Sequence, residues 1–162
     1  MNSLQRRMVG HGAVLMLIAL AAGFGLAMSL VGGFEFIPGS IAEFELPGDS
    51  RAWARAHAGG VLNGLMVLVV ALLLHAMSLP ERTEGQLCWM VVGAGYANTI
   101  FYWAGMLAAN RALTFGANRF GESDIMALIG FTPAFVFAFV TMYAFAIIAR
   151  YAFAPAAGEG AD

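Results

Sequence analysis

Apolar residues in this chain gather into four long runs, and most of the charged residues fall between them. The runs extend approximately from Met8 to Val31, Trp53 to Met77, Gln86 to Ala108 and Ile125 to Ala149. Crossing a bilayer as a helix takes about 20 residues at 1.5 Å rise each, so every run is long enough. The pattern predicts an all-α integral membrane four-helix bundle. It forms one four-span domain over residues 1–153, with spans at approximately 8–31, 53–77, 86–108 and 125–149. The small, polar stretch 154–162 reads as a disordered tail. The first run follows Gln5-Arg6-Arg7 but outlasts the roughly 7–15 apolar residues of a secretory signal, so it is expected to be retained.

Four spans put both termini on one side of the membrane. The arginines divide evenly: Arg6, Arg7, Arg82 and Arg150 on the terminal side, Arg51, Arg55, Arg111 and Arg119 on the other. Because Arg6 and Arg7 precede the first span, the expected orientation has cytoplasmic termini, in a bacterial inner membrane. The terminal side has one tight link, Ser78–Glu84. The opposite side has two long connections, 32–52 and 109–124. Phe34, Phe36, Ile37, Ile41, Phe44 and Leu46 make the first of these too apolar for a solvated loop, so it should fold back at the interface through turns at Pro38-Gly39 and Pro47-Gly48. Long connections of this kind tend to carry function.

Composition agrees with a membrane class. The chain is 60% hydrophobic and 11% charged, with net charge −2. Soluble domains are about 25% charged. There is no lysine, and eight scattered arginines leave no footprint for nucleic acid. The single cysteine, Cys88, excludes an intrachain disulfide and the paired-cysteine attachment of c-type haem.

The candidate chemistry begins with His57, near the mouth of the second span. Ionisable side chains are costly in hydrocarbon, which marks this one as a functional candidate, a metal or haem ligand, against the alternative of a structural residue at a helix start. His57 and His75 share a helix face but stand roughly 27 Å apart along it, so they cannot share an iron. His11 opens the first span from the terminal side, out of reach of His57, and is placed to meet His75 in an interfacial hydrogen bond. A haem bound by His57 alone keeps its sixth iron position open, which favours binding or catalysis over electron transfer. Asn63 lies about 9 Å deeper and is rotated by about 120° from His57. It is either a packing amide or a polar group at a cavity; two copies of the helix are needed for both residues to meet one cofactor. Ala56, Gly60 and Gly64 form a small-residue stripe suited to close approach of a helix or a flat ring. Tyr102, at a depth similar to Asn63, reads from spacing alone as an interfacial belt residue.

The motifs Gly10-His11-Gly12, Leu30–Glu35, Pro38-Gly39, Glu43-Phe44, Pro47-Gly48, Trp53-Ala-Arg-Ala-His57, Leu62-Asn63-Gly64, Phe101-Tyr102, Asn110-Arg111, Leu113–Gly116, Asn118, Phe120-Gly121, Asp124-Ile125 and Pro133-Ala134 run the length of the chain. In them the sequence resembles the styrene oxide isomerase family. It diverges at 78–86, 103–109 and the C-terminal tail. The resemblance implies a homotrimeric enzyme dependent on haem b, with haem between subunits, that converts aryl epoxides to aryl acetaldehydes. It implies His57 as axial ligand of the ferric haem iron, and Asn63 and Tyr102 as polar groups on the substrate side. Arg55, Arg111 and Arg119, on the loop side, are then candidates for the haem propionates, or for pairing with Glu35, Glu43 or Asp124. The competing expectations are a non-catalytic membrane b-type haem protein, electron carrier or sensor, and a cofactor-free scaffold for a monooxygenase.

Overall fold

The structure, a computed structural model, describes residues 1–154. The predicted tail at 154–162 lies outside the described residues, apart from Ala154. Four helices run α1 Ser3–Val31, α2 Ser50–Met77, α3 Glu81–Leu107 and α4 Ile125–Ala152, and between α1 and α2 stands a hairpin of β1 Gly33–Ile37 and β2 Ser40–Glu43.

Each helix begins where its capping chemistry allows. The Asn2 side chain accepts from Gln5 N, and the Gln5 side chain accepts from Asn2 N, closing a capping box that starts α1 five residues before its apolar run. Asp49 caps α2 through Ala52 N at 2.6 Å, and Asp124 caps α4 through Ala127 N at 2.8 Å. Pro80 introduces α3, with Glu81 and Glu84 in the first turn where the helix dipole favours acid. Glu84 is buried and accepts amide hydrogen bonds from Asn2 and Gln5, tying the starts of α1 and α3 together.

In a bilayer the lipid is as apolar as the side chains, so helices associate through close packing and interhelical hydrogen bonds. The small-residue stripe of α2 serves this purpose. A Cβ on Gly60 would meet Ala19 Cβ at 2.7 Å, and one on Gly64 would stand 3.2 Å from Gly12 O, so α1 and α2 touch almost backbone to backbone. α2 packs in turn on α3, and α3 on α4. Met8, Leu15, Val67, Val70, Leu74, Leu87 and Val91 fill the terminal-side core. α4 leaves Phe139, Met142 and Tyr143 more than half exposed, a face that hydrocarbon would cover.

α1, α2 and α4 are long and apolar enough to cross a membrane, which makes this a multi-pass membrane protein. α3 has the length, 27 residues, but not the same apolarity. The reason lies in its sequence: Gln86, Asn98 and Thr99 interrupt it, and its glycines contribute little hydropathy. The four expected runs are all helical, but they are not equal as membrane segments.

The apolar connection after α1 folds back as a paired hairpin, a feature the hydropathy pattern did not specify as strands. Phe34 pairs with Ala42 and Glu35 with Ile41, and the turn is made at Pro38-Gly39, where Gly39 has φ +83°. Proline at the first corner and glycine at positive φ at the second are what a type II turn requires.

Candidate active site

Local packing at the start of α2 fixes the bearing of His57. Trp53 Nε1 donates to Pro47 O at 3.1 Å, its ring occupies the space left by Gly25, and it meets Trp103 edge-to-face at 5.6 Å. One turn deeper, His57 Nδ1 lies 2.9 Å from the Ala19 carbonyl oxygen. A carbonyl only accepts, so Nδ1 carries a proton, and in the neutral ring Nε2 then keeps its lone pair. A Cβ on Gly23 would stand 2.9 Å from Nδ1, so glycine there makes room for the ring. His57 lines an apolar groove of about 510 Å³ with Leu20, Gly23, Phe24 and Ala27 of α1.

Asn63 and Tyr102 belong to a different face. Asn63 is 7% exposed at the α2–α3 contact. Its Oδ1 accepts from Asn98 Nδ2 at 3.1 Å, while its own Nδ2 is buried with no hydrogen-bond partner among the described residues. The Tyr102 ring lies over Gly59; a Cβ there would come within 2.6 Å of the hydroxyl oxygen. Gly59 and Asn63 are one turn apart on α2, as are Tyr102 and Asn98 on α3. The two helices thus stack a phenol and an amide pair in an otherwise apolar contact. Tyr102 is an inward-packed residue, and the belt reading from spacing gives way to this contact.

A cavity of about 310 Å³ brings Tyr102 together with Arg55, Arg111 and Arg119, beside Phe101 and Phe120. The 109–124 connection builds its wall. Asn110 is fully buried and works as a latch: its Nδ2 donates to Thr114 O and Gly116 O, each at 3.0 Å, and its Oδ1 accepts from Ala112 N at 3.0 Å. Asn118 Nδ2 donates to Asn110 O at 3.0 Å. The latch holds Arg111 and Ala112 at φ +61° and +53°, a left-handed conformation that side chains of this kind adopt only when the surroundings demand it. The guanidinium of Arg111 stands 4.2 Å from the centre of the Phe120 ring, and that of Arg119 stands 4.7 Å from it. Arg111 Nη2 also reaches Asp49 Oδ2 at 3.8 Å. The carboxylate partner of Arg111 is therefore the cap of α2, not the Glu35, Glu43 or Asp124 weighed as alternatives. Three guanidiniums against one carboxylate leave the cavity cationic, suited to an anionic group of more than one charge.

Of the residues singled out from sequence, Tyr102 and the three arginines come together, Asn63 adjoins Tyr102 through the α2–α3 contact, and His57 faces α1. The separation of His57 from Asn63 around α2 follows the rotation read from their spacing. His11 bonds Tyr96 at 3.0 Å, not His75, which is exposed. Sequence reasoning missed Asn98 and the Ala19 carbonyl. Asn98 had a signal, an amide one turn from Tyr102 in an apolar helix. The Ala19 carbonyl had none, since any backbone oxygen on α1 was a candidate.

A phenol and an amide pair packed between membrane helices, with the phenol lining a cavity walled by three arginines, make this the candidate site of a membrane protein. A sequence profile described as styrene oxide isomerase matches residues 4–153. The chain is 42% identical over 142 residues, 88% of its length and 84% of the relative's, to a styrene-oxide isomerase of Pseudomonas fluorescens. The chain belongs to the styrene oxide isomerase family and is an isomerase.

Proposed function

We propose that this protein converts aryl epoxides of the styrene oxide type to aryl acetaldehydes, with haem b held by His57 in a homotrimer. In this reading α3 also crosses the membrane, making four spans, and the termini are cytoplasmic, in a bacterial inner membrane. The observation that carries the cofactor assignment is the His57 imidazole. Its Nδ1 proton is spent on Ala19 O, which is how proteins fix the tautomer and raise the basicity of a ligating histidine. Nε2 is left as the ligand, at an apolar groove that Gly23 keeps open. The cationic cavity of Arg55, Arg111 and Arg119 suits the paired carboxylates of the propionates. These residues fit the group.

When bound, ferric haem b supplies a Lewis acid for the epoxide oxygen, polarising the C–O bond. The rearrangement needs no external electrons and no water. The benzylic C–O bond breaks, a hydride moves from the oxygen-bearing carbon to the benzylic carbon, and the oxygen becomes the aldehyde carbonyl. Tyr102 and Asn63 bring hydrogen-bond donors to the substrate oxygen and orient it. Phe101, beside Tyr102 with ring centres 5.4 Å apart, offers an aromatic face to positive charge on the benzylic carbon. The apolar walls exclude water and so suppress diol formation. His57 and the Asn63–Tyr102 pair occupy different faces of α2, which supports a site completed between neighbouring copies.

Gas chromatography of purified protein incubated with styrene oxide tests the reading. Phenylacetaldehyde is expected from the wild type and not from His57→Ala. A diol product, or none, counts against it. A bis-histidine haem spectrum favours an electron carrier instead.

A further inference from the structure

We propose that Asn98 is a positioning residue of the epoxide site: it holds Asn63 Oδ1, so that Asn63 presents its amide N–H, not its carbonyl, to the substrate oxygen. The proposal rests on the reading of Asn63 as a substrate-side group and adds the polarity of that group and its cause.

An asparagine amide has an accepting end and a donating end of nearly the same shape, and packing alone does not choose between them. Here the choice is made by a hydrogen bond. Asn98 Nδ2 donates to Asn63 Oδ1 at 3.1 Å, which spends the acceptor. The donor Nδ2 stays buried with no hydrogen-bond partner among the described residues, in a side chain only 7% exposed. Buried polar atoms in folded proteins are nearly always satisfied, so an unspent donor points to a partner that arrives later. A pair of amides serving structure alone can meet more fully, each donating to the other. These two meet once and leave a donor over.

The polarity matters for the chemistry. As the benzylic C–O bond stretches, negative charge gathers on the epoxide oxygen. An amide N–H facing that oxygen is attracted more strongly in the transition state than in the ground state, and a carbonyl facing it is repelled. Tyr102 lies one turn from Asn98 on the same face of α3, so the two helices offer a phenol O–H and an amide N–H from adjacent levels. Asn98 stands behind Asn63, half-buried at the edge of a cavity shared with Phe137 and Thr141 of α4.

Asn98→Asp is the informative substitution. When ionised, in assays at alkaline pH, the carboxylate only accepts, so it draws the Asn63 N–H towards itself and turns the carbonyl outward. In the haem-loaded enzyme, kcat for styrene oxide should fall by about 10- to 100-fold, with KM and the haem Soret band close to wild type. Asn98→Ala leaves the amide free to turn and should cost less, about 3- to 10-fold. Either change made in an Asn63→Ala background should add nothing, because Asn98 acts through Asn63. Wild-type kcat in both Asn98 variants, or losses that multiply in the double variants, would overturn the proposal. If Asn98→Asp does not fold, Asn98→Ala and its double variant carry the same comparison. Full activity of Asn63→Ala is a separate outcome: it removes the substrate-side role of Asn63 and this proposal with it.

Discussion

His57 sits in an apolar helix with one ring nitrogen bonded to Ala19 O and the other without a hydrogen-bond partner among the described residues, and that division defines what it can do. Gly23 makes room for the ring, since a Cβ there would stand 2.9 Å from Nδ1. Tyr102 is defined in a comparable way, by its ring on Gly59 and its place in the arginine-walled cavity. Removing its hydroxyl keeps the ring and the packing. Tyr102→Phe should therefore lower kcat by about 10- to 100-fold, the cost of one well-placed donor, with the haem spectrum broadly unchanged. Steady-state kinetics beside an absorption spectrum check this, and unchanged kinetics would leave the hydroxyl without a role. At this scale the sequence exposes residues that are costly where they stand. His57 and Asn63 are legible because a polar group in hydrocarbon needs a reason. Asn98 carries the same cost, but its meaning depends on a partner 35 positions away and on which amide end it touches.

Among the elements, the 109–124 connection contributes most to the site, and Asn110 holds it. Three side-chain hydrogen bonds from one fully buried amide stabilise two left-handed residues and aim Arg111 into the cavity. At about 1 kcal/mol for each bond, Asn110→Ala should cost about 2–4 kcal/mol. Thermal unfolding in detergent should show the lowered midpoint. Activity of the folded fraction should also drop as Arg111 leaves its place, whereas an unchanged midpoint would mean the latch is idle. Helix positions were legible from hydropathy, and their C-terminal ends lie within a few residues of the expected ones. The starts of α1 and α3 were not, because Asn2, Gln5 and Glu84 extend them by bonding to one another rather than by being apolar. The hairpin was half legible: its Pro38-Gly39 turn is chemical and local, but five residues of alternation are too few to distinguish a strand from an apolar loop.

For the whole molecule, the solvent is lipid, and a surface that faced another copy would be as apolar as one that faced lipid. That is why hydropathy does not read assembly from this chain. The arrangement of α2 does bear on it, since His57 looks towards α1 and Asn63 towards α3. If one haem meets both, they belong to different copies. Co-assembly of His57→Ala with an Asn63→Ala/Tyr102→Phe variant, each inactive alone, should then restore activity at about a quarter of the sites, where a subunit with intact His57 adjoins one with intact Asn63 and Tyr102. Absence of any recovery in a demonstrated mixed assembly would place the whole site within one chain.

The central claim is that epoxide isomerisation depends on haem held by His57. Haem b titrated into purified apoprotein, with the Soret band and aldehyde formation from styrene oxide followed together, tests it most directly. Both should rise in proportion and saturate at the same haem content, and both should be absent in His57→Ala. A colourless protein that makes the aldehyde at full rate, or a wild type that binds haem and makes none, would contradict the account.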